Sequence, residues 1–490
     1  MDDPLTQTAQ RIRQRDWDGA ITAAQAALAD GRALPRAAAR MLAGLVVTLG
    51  KSGRADAAAA LADRLLPAAP REPSAYLARS GLAQRVGDLA MAIADTRAAM
   101  DCSADPSPAW PRLADLLYEA GELEEAEATV HRALARSGED LELLARLVEI
   151  VDARGALDAL AIAVERALAQ RRQQGFGSPR LLMALLKAGR LEAAFPDLDL
   201  RWALAGAPPR PFPQPAWKGE AAPDRTLLVW GEQGLGEEIW ASALLAEAAA
   251  RVGRVVLECA PRLAALFARS FPAFTVAARQ DPPAPEAMAA DIQCGAVDLL
   301  RALDARAFSH APPLRADPAA AAGIRARYRR MGSGPIVGLS WRSANRRAAA
   351  AKSSSLADWG PILARPAVFI DLQYGDTDGD RAMARTALGV DIHRDPAIDP
   401  LGDLDGVAAQ VAALDAVVTV SNTTAHVAGG LGVPSAVLLA RGRGQVWSWF
   451  DGATPWYAGQ RICRQERAGD WQPAIQAAGV ALDQLLAGRR

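Results

Sequence analysis

Three polar stretches of this 490-residue chain carry the residue types that anion chemistry needs. The first is WGEQGLGEE, residues 230–238, set between the strand-like TLLVW and the helix-like IWASALLAEAAA. Its glycines, Gly231, Gly234 and Gly236, read G-x-x-G-x-G. A glycine turn from strand to helix lets a ligand reach backbone N–H groups and the positive helix end. The pattern is neither the dinucleotide fingerprint G-x-G-x-x-G nor a P-loop, which needs G-K-[ST]. A tight turn with no ligand uses the same glycines. The second stretch is VTVSNTTAHVAGGLGVP, residues 418–434. A strand ends at Val420, Ser421, Asn422, Thr423 and Thr424 make a hydroxyl-rich turn, and His426 falls in the first turn of a helix. Strand carboxyl ends are where open α/β sheets take ligands, and such a helix start suits a phosphate or carboxylate. His426 fits two roles there, ligand contact and structural hydrogen bonding. The third stretch is VGLSWRSANRRAAAAKSSSLADWGPIL. Behind a strand ending at Trp341 come Arg342, Arg346, Arg347 and Lys352, then Ser353–Ser355. These cations suit a leaving phosphate or diphosphate. They also suit a solvated basic loop, with the serines as ordinary helix caps.

The elements that position these stretches alternate. TLLVWG, RVVLECA and FTVAAR read as strands separated by helices, DIQCGAVDLL has no clear pattern, and a helix is expected near 319–331. PIVGLSW, VFIDLQYG, AVVTVS and SAVLLA then restart the alternation, with helices from Leu356, near 380–388, over DGVAAQVAAL and from about Thr423. Strands alternating with helices imply parallel sheets with both faces covered. Two Rossmann-like lobes around a cleft follow, over residues 218–332 and 333–490. Ahead of them AGAPPRPFPQPAW, residues 205–217, has five prolines in 13 residues and must be an extended linker.

Residues 1–204 read as a helical repeat array. Gly53, Gly87, Gly121, Gly155 and Gly189 stand 34 residues apart, the length of a tetratricopeptide helix–turn–helix unit. Each glycine suits the turn between paired helices. Five positions on come Ala58, Ala92, Ala126 and Ala194, with Leu160 the exception, and small residues allow close helix packing. Such arrays present a surface that holds a peptide or partner, or act as spacers and dimerisation surfaces.

Composition narrows the classes. The hydrophobic share of 51% allows large cores, and the net charge of -1 offers no basic excess for nucleic acid. The polar start MDDPLTQTAQ shows no secretory signal, and no apolar run of membrane-spanning length occurs. Cys102, Cys259, Cys294 and Cys463 form no CxxC pair, so neither a disulfide framework nor a zinc site is suggested and the cytoplasm is the expected compartment.

Together and in this order, the stretches resemble bacterial tetratricopeptide-repeat glycosyltransferases. WGEQGLGEEIW resembles their WGEQGLGD-type opening, VGLSWRS their second-lobe opening strand, and VSNTTAHVAGGLGVPSAVLL their histidine segment. TPWYAGQRICRQERAGDW, residues 454–471, resembles their closing segment. The resemblance covers about residues 225–475 and extends, more distantly, to the heptosyltransferases of lipopolysaccharide synthesis. It implies a helical solenoid followed by an α/β GT-B fold, acting as an inverting, metal-independent glycosyltransferase without cofactor. Members of this kind modify flagellin, with the repeats holding the protein acceptor and a CMP-linked nonulosonic acid such as CMP-pseudaminic acid as donor. On this resemblance Glu237, where the family usually carries Asp, is the candidate base, His426 is the second catalytic candidate and would bind the donor phosphate or carboxylate, and Glu238 could take Glu237's role or line the acceptor cleft. In a helix's first turn, an acid such as Glu237 is equally a favourable dipole partner. Gly234, Gly236, Asn422, Thr423, Thr424, Arg342 and Lys352 would bind the donor, Gln373 and Tyr374 its base, and Trp456 and Tyr457 would line the cleft. The aromatic pair fits plain packing as well. Ser421 stands where many relatives have Asp, so that Asp's role has no counterpart here. The rival functions are transfer to a glycan or lipid-linked acceptor, as in heptosyltransferases, and a non-catalytic repeat scaffold.

Overall fold

The computed structural model describes residues 3–205, 208–232, 234–303, 311–343, 349–442, 454 and 456–488. Arg346 and Arg347 lie outside them. The chain divides into two compact units. One holds the chain to Val151 with Leu157–Gln170, and the other holds Asp152–Ala156 and the chain from Arg171 onward.

The first unit is built of paired helices, among them Arg36–Lys51 with Ala55–Ala68, Pro73–Val86 with Leu89–Asp101, and Trp110–Ala120 with Leu123–Ser137. The 34-residue period is a backbone requirement. Gly53, Gly87 and Gly121 turn between paired helices at φ 82°, 84° and 83°, and Gly155 and Gly189 repeat the conformation at 74° and 71°. A Cβ at Gly87 or Gly121 would meet nothing within 4 Å, so backbone torsion alone selects glycine there. The alanines in register, Ala58, Ala92 and Ala126, are all 0% exposed. A larger side chain would have to push the paired helices apart. Across the second pair, Arg79 clamps the buried Asp95 with two hydrogen bonds of 2.8 Å.

In the second unit, strands β1 (Ala222–Trp230), β2 (Val252–Cys259), β3 (Thr275–Ala278) and β4 (Ile292–Gly295) form a parallel sheet in the order β3-β2-β1-β4. Strands β5 (Ile336–Ser340), β6 (Val368–Asp371), β7 (Ile392–His393), β8 (Ala416–Val420), β9 (Ser435–Leu439) and β10 (Gln460–Arg464) form another, in the order β10-β9-β8-β5-β6-β7. This is the doubly wound order, which reverses direction between β5 and β8. Every residue of β5, β6, β8 and β9 is buried, which is why these strands read as continuous apolar runs. The patternless DIQCGAVDLL holds β4, and the closing segment holds β10, which sequence periodicity did not reveal.

Two expected boundaries move. The helices Pro179–Lys187 and Arg201–Ala205, expected to end the repeat array, belong to the second unit. Arg201 there pairs with Glu232, and Trp202 stacks on Trp230 at 5.8 Å between centroids. The helix Pro318–Tyr328, expected to end the first lobe, packs instead on helix Leu404–Ala412 of the second. The reason is polar as well as apolar. The fully buried Tyr328 donates its hydroxyl to Asp395 and accepts from Gln410, while Arg325 pairs with Asp415 at 2.6 Å. No helix among the described residues is long and apolar enough to cross a membrane.

The turn torsion gives a direct test. Gly121→Ala places a Cβ in open space but in a left-handed backbone, which costs roughly 1–2 kcal/mol. Gly121→Asn, whose short polar side chain tolerates that region, is expected to lose less. Thermal melts of the two full-length variants should therefore rank wild type, Asn, Ala, and equal melting of all three would refute the torsional reading.

Candidate active site

The carboxyl ends of β1, β5 and β8 surround a cavity of about 500 Å³. The first lobe contributes Gly234 to Glu237 and Arg262. The second contributes Ser343 and Lys352 behind β5, Ser421 to Thr424 and His426 behind β8, and an apolar side that includes Leu372, Tyr374 and Leu404. Strand order reverses at these strand ends in both sheets, where α/β folds place their ligands.

The turn behind β8 is held rigidly. Asn422 caps helix Thr423–Gly430 by accepting from the Thr424 N–H at 2.9 Å. Its amide donates to Ser340 Oγ at 2.8 Å and to the Arg342 carbonyl at 3.1 Å, tying the ends of β8 and β5 together. Gln373 splints the neighbouring strand ends, its Oε1 accepting from the N–H groups of Trp341 and Arg342 at 3.0 and 2.7 Å. At 1% exposure Gln373 supports the cavity from behind and does not line it. Tyr374 lines the cavity and donates its hydroxyl to the Arg342 carbonyl. The Arg342 guanidinium turns to the Asp376 carbonyl and to Asp380, away from the described cavity lining. Lys352, one of four lysines in the chain, is 8% exposed and lines the cavity.

The lobes meet at the glycine turn. A Cβ on Gly236 would lie 2.7 Å from His426 Cδ2 and 3.1 Å from Nε2. What approaches that backbone is therefore the histidine of the other lobe, where a ligand was expected. Gly231 is bare for a second internal reason, since a Cβ there would strike the Glu238 carboxyl group at 2.4 Å. Gly234 alone of the three faces the cavity with room to spare, since a Cβ there would have a Glu237 oxygen 4.0 Å away as its nearest neighbour. His426 Nδ1 lies 3.3 Å from the Tyr457 hydroxyl. Trp240 of the first lobe packs on Trp456 of the second, ring centroids 4.5 Å apart and planes tilted by 35°.

Three expected site residues are thus packing groups. Trp456 is 0% and Tyr457 3% exposed, and neither belongs to the described cavity lining, because they fill the lobe contact behind His426. Glu238 points back beneath β1 and β2, where it pairs with Arg279 and accepts from the Ala260 N–H at 2.8 Å. That engagement removes it as an alternative base.

Glu237 is different. Its Oε2 is sealed from solvent with no hydrogen-bond partner. Burial pushes its carboxyl up to about 7, with the Glu232 carboxylate adding to the rise and Arg201 opposing it. Burial pushes the Lys352 ammonium down to about 8. Burial, and then the Lys352 charge, push the His426 imidazole down to about 3, so it is neutral at physiological pH. The site therefore offers a carboxyl poised to take or give a proton, a desolvated cation and a neutral imidazole. Sequence reasoning missed Ser343 and Arg262, and it missed Glu232, an acid inside the glycine turn that lies just ahead of the helix.

No known protein-family profile matches the chain. It is 34% identical over 322 residues to Protein FlbA of Caulobacter vibrioides, in a match covering 61% of this chain and 53% of that protein. The chain thus spans about half the length of this curated relative. Among solved structures it is similar to E. coli ADP-heptose lps heptosyltransferase II, at 13% identity and TM-score 0.39 over 54% of this chain and 99% of that one. It is also similar to YrrB, a TPR protein with an unusual peptide-binding site, at 15% identity and TM-score 0.26 over 34% of this chain and 84% of that one.

The contact at Gly236 predicts a coupled pair. Gly236→Ala is expected to destabilise the protein by about 1–3 kcal/mol, the usual cost of overpacking. Removing the opposing ring in Gly236→Ala/His426→Ala should recover most of that loss, and strict additivity in a double-mutant cycle of denaturant unfolding would show that the two do not press on each other.

Proposed function

We propose that the chain is a glycosyltransferase that moves a sugar from a nucleotide-sugar to Ser or Thr of a protein acceptor held by the repeat array. The acceptor proposed is flagellin, the donor a CMP-linked nonulosonic acid and the compartment the cytoplasm, all three resting on the sequence resemblance. The observation that carries the transferase reading is Glu237, a sealed carboxyl oxygen without a partner, in a cavity that also presents Lys352 and a capped helix start.

The chemistry follows from these groups. Glu237 takes the proton of the acceptor hydroxyl, whose oxygen then attacks the anomeric carbon from the face opposite the nucleotide. The bond from that carbon to the phosphate oxygen breaks, its electron pair stays on the phosphate, and the configuration inverts. Lys352 and the N–H groups behind Asn422 stabilise the departing phosphate, and fixed dipoles of this kind need no reorganisation as charge develops. Thr423 and Thr424 offer hydroxyls to the same anion. Neutral His426 walls the site towards the first lobe, and Arg342 acts by fixing the loop behind β5.

A thermal-shift panel with CMP, UDP, GDP and ADP tests the donor site. A ligand at 100 times its Kd stabilises the folded state by about 2.7 kcal/mol. One nucleotide should raise Tm, the rise should vanish in Lys352→Met, and CMP is the one expected. ADP in its place would favour a heptose-like donor and the glycan or lipid-linked acceptor, and no shift with any of the four would favour the scaffold.

The base has its own signature. Glu237→Gln should keep the nucleotide shift while losing transfer by about 10²–10⁴-fold. In the wild type, kcat/KM should rise with pH through about 7 as Glu237 ionises, and fall above about 8 as Lys352 loses its proton. A profile flat from pH 6 to 8 would remove Glu237 from this role. A chain beginning near Arg171 should still glycosylate a short Ser/Thr peptide but fail on the intact protein acceptor.

A further inference from the structure

Behind Glu237 lies a buried ion cluster that neither the sequence motifs nor the reaction above assigns. Glu232 is the second residue past β1, and its side chain is 0% exposed. Arg201 reaches it from the helix ahead of the proline-rich linker, donating Nε to Oε2 at 2.9 Å and Nη2 to Oε1 at 3.0 Å. The same Nη2 donates to Asp298 at 2.8 Å, while Glu232 Oε1 also accepts from the Val297 N–H at 3.0 Å. One carboxylate thereby ties the glycine turn behind β1 to the turn behind β4 and to the preceding helix. Forked pairing of this kind holds geometry, because both partners are planar and both oxygens are engaged. Contacts with Glu232 and Asp298 hold the Arg201 guanidinium charged against its burial, whereas burial pushes the Glu232 carboxyl up and Arg201 opposes that rise.

We infer that Glu232, clamped by Arg201 and the Val297 N–H, is the positioning residue of Glu237: it fixes the turn that carries the base and places its charge behind it. The inference rests on the reading of Glu237 as the proton acceptor. The charges that bear on Glu237 are Glu232 and Glu238, which oppose its ionisation, and Arg201, which favours it. Lys352 and Arg262 share its cavity with the neutral His426. Of the two acids, Glu232 bears on Glu237 more strongly than Glu238, which lies against Arg279. A base whose neighbour resists its ionisation holds a proton more strongly once it has taken one, which is what transfer from a weakly acidic hydroxyl needs. A second consequence is that the helix Arg201–Ala205 is part of the catalytic unit, although the sequence assigns it to the repeats.

The test is Glu232→Gln in the full chain, which keeps an acceptor for Arg201 and Val297 while removing the charge. The acidic limb of the kcat/KM–pH profile should move to lower pH, so that at pH 6 the variant outpaces the wild type. A limb that stays in place would mean that the cluster is only structural. The same ionisation is readable without turnover. A buried acid with a raised folded-state value loses stability as pH climbs from its unfolded value towards the folded one. The Tm advantage of Glu237→Gln over wild type should accordingly grow from about pH 4.5 to about 7. In the Glu232→Gln background that growth should end at lower pH, and an unchanged endpoint overturns the inference. This second reading holds even if no donor is ever turned over, which separates failure of the inference from failure of the proposed reaction. If Glu232→Gln does not fold, Arg201→Lys retains the charge but not the fork, and kcat should fall with donor KM held. Unchanged kcat in Arg201→Lys would overturn the positioning role.

Discussion

The second unit depends on how charge is buried where the two sheets point their carboxyl ends at each other. Three glutamates crowd the end of β1, and an ionised carboxylate taken out of water is costly unless it is paired and hydrogen-bonded. Glu232 meets this with Arg201 and the Val297 N–H, and Glu238 with Arg279 and the Ala260 N–H. Those partners come from the preceding helix, from the turn behind β4 and from the ends of β2 and β3. The satisfaction of two acids is thus what draws four separate segments to one edge of the sheet. Glu237, between them in sequence, is left without that provision.

The opposite side of the cavity is organised by neutral hydrogen bonds. Asn422 and Gln373 use side-chain amides to join the ends of β8, β5 and β6, so the loops behind three strands are tied together. A polar network of this type is stable in a low-dielectric interior because each amide is engaged on both its donor and acceptor sides or close to it. The first lobe presents charge and the second presents dipoles, with Lys352 the exception. Gly236 and His426 close the distance between them, and the tilted Trp240–Trp456 pair fills the contact from behind. Arg269 of the first lobe and Asp405 of the second add a forked ion pair at 2.5 and 2.7 Å.

What could be read in the sequence is what is decided locally. The glycine period was legible because each repeat needs one left-handed residue at the same place, and torsion leaves a mark on residue type. The buried strands β5, β6, β8 and β9 were legible as apolar runs, and the Asn422 cap as a polar turn between strand and helix. β10 was not, because it is a five-residue edge strand with Arg461 exposed and no apolar alternation. Pairings across long sequence distances left no local trace. Arg201 and Asp298 are 97 positions apart, and nothing near either announces the other. The same holds for Gly236, whose bareness was read as room for a ligand and proved to be room for His426. The end of the repeat array was misplaced for a related reason, since the last helices continue the 34-residue glycine register through Gly189 while their side chains engage the α/β half.

The contrast among the three glutamates carries a wider point about proton acceptors. A carboxylate satisfied by arginine and backbone N–H groups is a good structural element and a poor base, because accepting a proton breaks the bonds that hold it. A buried carboxyl oxygen left without a partner forfeits about 1–3 kcal/mol, the usual penalty for an unmade buried hydrogen bond. That penalty would be relieved by any hydroxyl donor placed against the unpartnered oxygen. The neighbouring pairs make this arrangement tolerable, since Arg201 tempers the negative field while Glu232 keeps the bare carboxyl from ionising too readily.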